Sequence, residues 1–304
     1  MERYRSLNAW LRETFGEKLY KLALDGGFTC PNRDGTLGTR GCSFCSGAGS
    51  GDFAENCTPG VAEALRRAKT RVEGKNPGGR YIAYFQSYTS TYGPPEKLRR
   101  LFSEAVALPE VAVLSVATRP DCLPEETVQL LRELSRVKPV WVELGLQTVH
   151  AETARRIRRG YELPVYDDAV RRLREAGIPV ITHMILGLPG ESREMIWETA
   201  RHIGDVGSWG VKLQLLHVLE GTDLAAEYRA GGFETLTLEE YLPILAGCLE
   251  RLPKETVIHR LTGDGAKREL IAPLWSGDKK RVLNAIARYL DEHDVRQGAK
   301  RGAE

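Results

Sequence analysis

Six short apolar runs, mostly about 30 residues apart, constrain the fold of this chain more than any other feature. They occupy residues 19–24, 81–85, 111–117, 140–146, 180–186 and 211–218. Several are rich in Val, Ile and Leu without polar alternation, which suits strands of a parallel sheet buried on both faces. Helical patterns fill the gaps at 94–108, 124–134, 151–158, 165–176 and 192–206. An earlier one opens at Thr58-Pro59, read as N-cap and first helical residue. Strand and helix alternating at this period make βαβ units.

Six units are too few for a closed eight-fold barrel. The expectation is therefore an α/β fold, a partial (β/α)6 TIM-like barrel over residues 18–220, with a doubly wound sheet as the alternative. Either arrangement gathers ligands at the carboxyl ends of the strands. The rhythm breaks near Gly231-Gly232. Residues 1–230 read as the core, and 231–304 as a small C-terminal α/β extension. That extension carries a helix at 237–251, a strand at 256–260, a helix at 279–293 and a flexible tail.

Bulk properties narrow the function classes. With 43 basic and 41 acidic residues, the formal charge is +2. Whole-protein electrostatic capture of nucleic acid is not expected, although local patches are. Six cysteines in 304 residues do not make a disulfide scaffold. The opening stretch MERYRSLNAWLRETFGEK is amphipathic and has no apolar signal core. No run reaches the length of a membrane span. The expected setting is reducing and cytoplasmic, with thiols free for metal.

Chemistry concentrates in the loop after the first run, CPNRDGTLGTRGCSFC, which carries Cys30, Cys42 and Cys45. Thiolates are soft ligands that suit iron–sulfur clusters and zinc. Three protein ligands leave one metal position open. Cys57 follows Cys45 with eleven residues between them, the same interval as between Cys30 and Cys42. On spacing alone, four thiols closing a structural zinc site is an equal reading.

Other motifs follow in order along the chain. They are Val142-Glu143-Leu144-Gly145-Leu146-Gln147-Thr148, Arg158-Arg159-Gly160-Tyr161, Ile185-Leu186-Gly187-Leu188-Pro189-Gly190-Glu191, the segment KLQLLHVLEGT from Lys212, and Arg260-Leu261-Thr262-Gly263-Asp264. Together with the cysteine loop, this set resembles the radical S-adenosylmethionine (SAM) superfamily. It is most similar to the subgroup related to the elongator catalytic subunit, and within that to the bacterial YhcC-like and MnmL-like proteins. Two departures stand out. Eleven residues separate the first two cysteines where the superfamily usually has three, and Tyr161 replaces the subgroup's usual His.

The resemblance implies a radical SAM enzyme. Cys30, Cys42 and Cys45 would hold a [4Fe–4S] cluster whose open iron chelates SAM, and reductive cleavage would yield a 5′-deoxyadenosyl radical for hydrogen abstraction. Phe44 would lie next to the adenine. Gln86 and Ser87, in the place of the family's Gly-Gly-Glu, would accept from the methionine ammonium. Gln147 would meet the ribose, and Glu143 the ribose or the ammonium. Arg159, or its neighbour Arg158, would bind the SAM carboxylate. Gly187 and Pro189, with Gly190, would let backbone approach the adenine. The implied substrate is a transfer RNA (tRNA) wobble uridine bearing a 5-carboxymethylaminomethyl group, and the implied electron donor is a flavodoxin or ferredoxin. A small metabolite as substrate, or a zinc-stabilised interaction protein without turnover, are the other readings.

From the residues themselves, Glu143 and Gln147 sit four apart on one strand and face the lumen or its mouth. Each satisfying the other is the structural alternative. Lys212 and Gln214 share a strand face that meets substrate, whereas His217 points away if the strand is regular. The segment Thr118-Arg119-Pro120-Asp121 reads as a polar cluster or a capped turn. Cys122 and Cys248 read as buried thiols. Basic residues collect at Arg155, Arg156, Arg158, Arg159, Arg171, Arg172 and Arg174, and again at Lys267, Arg268, Lys279, Lys280 and Arg281. These suit phosphate contacts or, as the plainer alternative, solvated helix faces.

Cys57 separates the metal readings. On anaerobic reconstitution, Cys57→Ala keeps the wild-type iron content and Cys42→Ala loses it. The reverse pattern, with zinc bound, identifies the four-thiol site.

Overall fold

A computed structural model describes residues 2–49, 51–76, 78–263, 265 and 267–302. The chain runs α1 (Leu7–Phe15), β1 (Tyr20–Asp25), β2 (Glu55–Asn56), α2 (Val61–Thr70), β3 (Tyr81–Phe85), α3 (Pro95–Ala107), β4 (Val111–Thr118), α4 (Glu125–Ser135) and β5 (Val140–Gln147). It continues with α5 (Ala151–Arg156), α6 (Leu163–Glu175), β6 (Val180–Leu186), α7 (Arg193–Asp205), β7 (Gly210–Leu215), β8 (Val218–Leu219) and α8 (Asp223–Arg229). Last come α9 (Leu238–Arg251), β9 (Val257–Arg260), β10 (Leu270–Ala272) and α10 (Lys279–Glu292). All six expected strands form, each within two residues of its start.

One sheet holds eight strands in the order β2-β1-β3-β4-β5-β6-β7-β9, every neighbouring pair parallel. This is the partial barrel expected from the six-fold rhythm, with a small antiparallel pair, β8 and β10, appended. The strand beyond residue 230 joins the main sheet, because β9 pairs in parallel with β7. Residue 230 therefore marks a break in sequence rhythm and not in the sheet.

Two faces are packed separately. The outer face, covered by helices α2, α3, α4, α6, α7 and α9, buries the large core with Tyr81, Phe85, Phe102, Tyr166 and Tyr241. The lumen is plugged at the amino ends of the strands by α1. Its Leu11 packs with Leu19, Ile82, Val113, Trp141 and Ile181. Trp10 meets Trp141 and Trp209 edge-on at 5.6 and 4.9 Å. The amphipathic opening segment is thus a barrel stopper. It begins at the N-cap Ser6, whose hydroxyl accepts from Ala9 N at 3.2 Å, and ends at Gly16 in the left-handed conformation.

Two local expectations fail for tertiary reasons. The second helix starts at Val61 and not at Pro59. The Thr58 hydroxyl bonds Asn56 instead, and the Glu104 carboxylate of α3 accepts from Val61 N (2.7 Å) and Ala62 N (3.1 Å). The cap is supplied 43 residues away, where local pattern has no view of it. The terminal stretch, expected to be flexible, is docked. Gln297 is 5% exposed; its amide donates to Pro253 O and Thr256 O and accepts from Arg5 N. Gly298 N and Lys300 N bond α9 carbonyls. Ala303 and Glu304 lie outside the described residues.

The plug sets a stability expectation. Leu11→Ala costs about 2–5 kcal/mol in urea unfolding. Glu13→Ala, on the exposed face of the same helix, stays within about 0.5 kcal/mol. Equal effects would show that α1 does not close the barrel.

Candidate active site

A cavity of about 270 Å³ opens at the carboxyl ends of the strands, directly above the polar interior of the barrel. The lumen changes character along its length. Above the apolar plug sits Glu143, 0% exposed, at the centre of a charged network. Lys21 Nζ (2.6 Å) and Ser115 Oγ (2.8 Å) donate to one oxygen. His183 Nε2 lies 2.7 Å from the other, which also takes Lys212 Nζ. Lys212 donates on to the Tyr84 hydroxyl at 3.0 Å. Burial alone would raise the Glu143 carboxyl, but Lys21, Lys212 and His183 hold it well below its ordinary value. Burial pushes Lys212 down to about 7, and burial with Lys212 nearby pushes His183 down to about 4.

Higher up, Gln86, Gln147 and Gln214 line the cavity from β3, β5 and β7, alternate strands of the six. No side-chain hydrogen bond of Gln86 or Gln214 is present among the described residues, and the buried Oε1 of Gln147 has no partner. Gln147 has φ +68°, and the β5–β6 register slips between Gly145 and Gln147. Tyr88, also on the cavity lining, has positive φ, as does Arg158 in the turn that Asn32 bonds. Non-glycine residues in this region are costly and cluster at functional sites.

Cys30, Cys42 and Cys45 line one wall of the cavity as free, half-buried thiols. Their loop is sewn to the barrel. Asn32, 5% exposed, donates to Arg158 O (2.8 Å) and Arg159 O (3.2 Å), with Cys42 Sγ at 3.4 Å. A Cβ at Gly160 would meet Asn32 Oδ1 at 2.7 Å, so this contact requires glycine there. Arg33 donates to Cys45 O and Ser46 O. Ser43 N bonds Ile157 O, and Ser43 O accepts from Leu224 N. Burial pushes the Cys42 thiol up to about 12 and raises Cys45, so ligation must displace protons from both.

This donor set fits an iron–sulfur cube. Among the described residues, no three His, Cys, Asp or Glu side chains converge as on a single ion. Thiolates that each take a different iron of one cube need not converge. Cys57, the fourth member of the zinc reading, lies off this cavity, 3% exposed in the outer core, with its Sγ 3.9 Å from Glu55 O. The unpaired amides at the mouth suit the polar groups of SAM. Phe44 lines the cavity and packs on Ile157, Ile185, Leu188, Leu216 and Leu224, so its ring is both an apolar wall and a plug.

Other expected positions are placed differently. Glu143 is fully engaged by Lys21, Ser115, His183 and Lys212, leaving it unavailable to ribose or ammonium, and it does not pair with Gln147. Arg159 is 2% exposed and spends its guanidinium on Leu146 O, Thr148 O and Tyr161 O, away from the cavity. Arg158 bonds Gly41 O and Asp223. Arg33, Arg119 and Arg260 line the cavity, and Arg119 is held by both oxygens of Asp121 and donates to Arg159 O at 2.8 Å. Ser87 is buried off the cavity, where a Cβ at Gly51 would meet its Oγ. Gly187 packs under Leu236, and Pro189 O accepts from Arg156; neither lines the cavity. His217 does line it, because β7 ends at Leu215 and the strand alternation stops there. Asp264 lies outside the described residues.

The arginine-rich zone is mostly paired within the protein. Arg156 meets Glu227, Arg158 meets Asp223, Arg171 meets Asp168 and Glu175, and Arg172 meets Glu125. Sequence reading missed Lys21, Ser115, His183, Asn32 and Arg33. The first three do carry a signal: each is a polar residue inside an apolar run, at the alternate positions that face a lumen.

Comparison with known proteins agrees with the geometry. The family model described as the Radical SAM superfamily matches residues 35–203, and that of the Radical_SAM C-terminal domain matches 208–292. The chain is 47% identical to YtqA of Bacillus subtilis, over 98% of this chain and 92% of that protein. It is 38% identical to YhcC of Escherichia coli, over 95% and 93%. A tRNA uridine(34) acetyltransferase of Methanocaldococcus jannaschii is 26% identical over 60% of this chain and 33% of its own length. Among solved structures, Elp3 of Methanocaldococcus infernus superposes with a TM-score of 0.68 at 18% identity, covering 92% of this chain and 64% of that one.

The buried network predicts a coupling. Glu143→Ala strands two ammonium groups and destabilises the fold by about 3–5 kcal/mol in urea unfolding. Pairing it with Lys212→Met recovers part of the loss, because the second change removes one stranded charge. Strict additivity of the two would dissolve the network argument.

Proposed function

Because this chain belongs to the radical SAM superfamily, we propose that it is a radical SAM enzyme whose substrate is a tRNA wobble uridine. The observation that carries the reading is three free thiols on one wall of a lumen closed below, with Cys57 elsewhere. In this reading Cys30, Cys42 and Cys45 hold a [4Fe–4S] cluster and leave one iron for SAM. When bound, the pair supplies one-electron cleavage of SAM for hydrogen abstraction from substrate.

The protein's part is to hold, orient and exclude. Asn32 ties the thiol loop to the turn after α5, and Arg33 braces the loop on its own carbonyls at Cys45 and Ser46. Phe44 and its apolar neighbours wall one side against water. Gln86 and Gln147 offer donors and acceptors without protein partners, suited to ammonium and ribose. Arg119, held by both oxygens of Asp121, is one of the cavity's guanidinium groups and suits a carboxylate.

The wobble-uridine substrate draws support from the likeness to a protein called tRNA uridine(34) acetyltransferase. The reaction class is hydrogen abstraction at the glycyl α-carbon of a 5-carboxymethylaminomethyl group. The resulting carbon radical loses one further electron to a one-electron acceptor and a proton to give the imine, and hydrolysis releases glyoxylate and leaves 5-aminomethyluridine. Lys280 and Arg281 are exposed on α10 without ion pairs among the described residues and supply phosphate contacts. A flavodoxin or ferredoxin supplies the electron. No helix among the described residues is long and apolar enough to cross a membrane.

Anaerobic reconstitution tests the chemistry: about four irons per chain, and 5′-deoxyadenosine released from SAM with dithionite. Cys42→Ala abolishes both. The rate rises with tRNA from a strain lacking this protein, and that strain lacks the wobble 5-aminomethyl group. Zinc without cleavage would refute the enzyme. Cleavage stimulated only by a small metabolite, with unchanged wobble uridine, would move the substrate elsewhere.

A further inference from the structure

The cavity ends on Lys212, Glu143, His183 and Tyr84. An ammonium carries three N–H donors. Lys212 spends one on Glu143 and one on the Tyr84 hydroxyl, and the third has no partner among the described residues. Lys21 brings a second ammonium to the same carboxylate. With Lys212 protonated, two cations therefore share one anion, leaving an excess positive charge. His183 contributes no negative charge. Lys212 is 3% exposed, so this excess is held out of water, an unfavourable state that an arriving anion relieves. Gln214, two residues nearer the mouth on the same strand face, lines the cavity with its amide unbonded.

We infer that the closed end of the cavity is a carboxylate subsite, with the spare N–H of Lys212 and the Gln214 amide as its donors. The inference rests on reading this cavity as the substrate pocket. It says which end of a substrate enters first: a carboxylate lies at the floor, and the carbon bearing it faces the thiol wall. The carboxylate belongs to the substrate, with that of SAM as the rival source.

The test uses cluster-loaded full-length protein saturated with SAM, which removes the rival. The probes are 5-carboxymethylaminomethyluridine and its methyl ester, with binding measured by equilibrium dialysis. Wild type binds the acid at least tenfold more tightly than the ester. In Lys212→Met, which leaves Lys21 and Glu143 as a neutral pair, the two bind alike. A melting curve checks that the variant is folded, and Gln214→Leu gives an independent partial loss of preference. Equal binding of acid and ester to wild type overturns the subsite and leaves the uridine reading intact. If neither nucleoside binds, acetate decides. A rise in melting temperature with acetate, absent with methyl acetate and absent in Lys212→Met, supports the subsite for a different substrate and removes the uridine. No response to acetate overturns the subsite as well.

Discussion

A single buried carboxylate ties this barrel together. Glu143 on β5 takes Lys21 from β1, Ser115 from β4, His183 from β6 and Lys212 from β7, and Lys212 reaches Tyr84 on β3. All six lumen-forming strands thus meet in one network. This matters because the sheet is open. β1 pairs with β2 and β3, and β7 with β6 and β9, so no backbone ladder joins β1 to β7. Lys21 and Lys212 bridge that gap through a shared anion. Buried charges are costly unless hydrogen-bonded on every side, and here both carboxylate oxygens are occupied twice. The network is also the boundary between two functions of the lumen. Below it lies a dry plug of Trp10, Trp141 and Trp209, and above it a polar cavity.

The mouth of the cavity depends on a second set of ties. The thiol loop is glycine-rich and has no regular secondary structure. Its shape comes from side chains bonded to backbone. Asn32 reaches the turn after α5, and Arg33 reaches back to the carbonyls at Cys45 and Ser46. Arg159 in turn holds the end of β5 through Leu146 O and Thr148 O. Positive φ at Tyr88, Gln147 and Arg158 places the unusual backbone where these ties converge. The three thiols are therefore positioned by the loop's own ties and by the turn after α5.

Much of the architecture was legible from the chain. Uninterrupted Val, Ile and Leu runs at a βαβ period specify buried parallel strands, and the protein has them at nearly the expected bounds. The thiol loop was legible by its ligand type and spacing. What misled was position in space. Arg159 matched a family motif, yet the structure surrounds it with carbonyls, and Arg119 takes the cavity wall. Ser87 and Gly187 belong to the expected strand ends but do not line the cavity. A strand end has two faces, and a turn can send either one inward.

The sequence by itself determined the periodic alternation of strand and helix and the thiol-bearing loop, because these follow from local hydrophobic period and ligand chemistry. Only the tertiary structure decided which polar residues meet. Lys21 and Glu143 are 122 positions apart, and Glu104 caps a helix 43 positions before it. It also decided that Cys57 lies in the outer core while Cys30, Cys42 and Cys45 share a wall. The reason is that pairing in a barrel is set by strand stagger and by which face of each strand turns inward. Those quantities belong to the whole sheet and to no single segment of the chain.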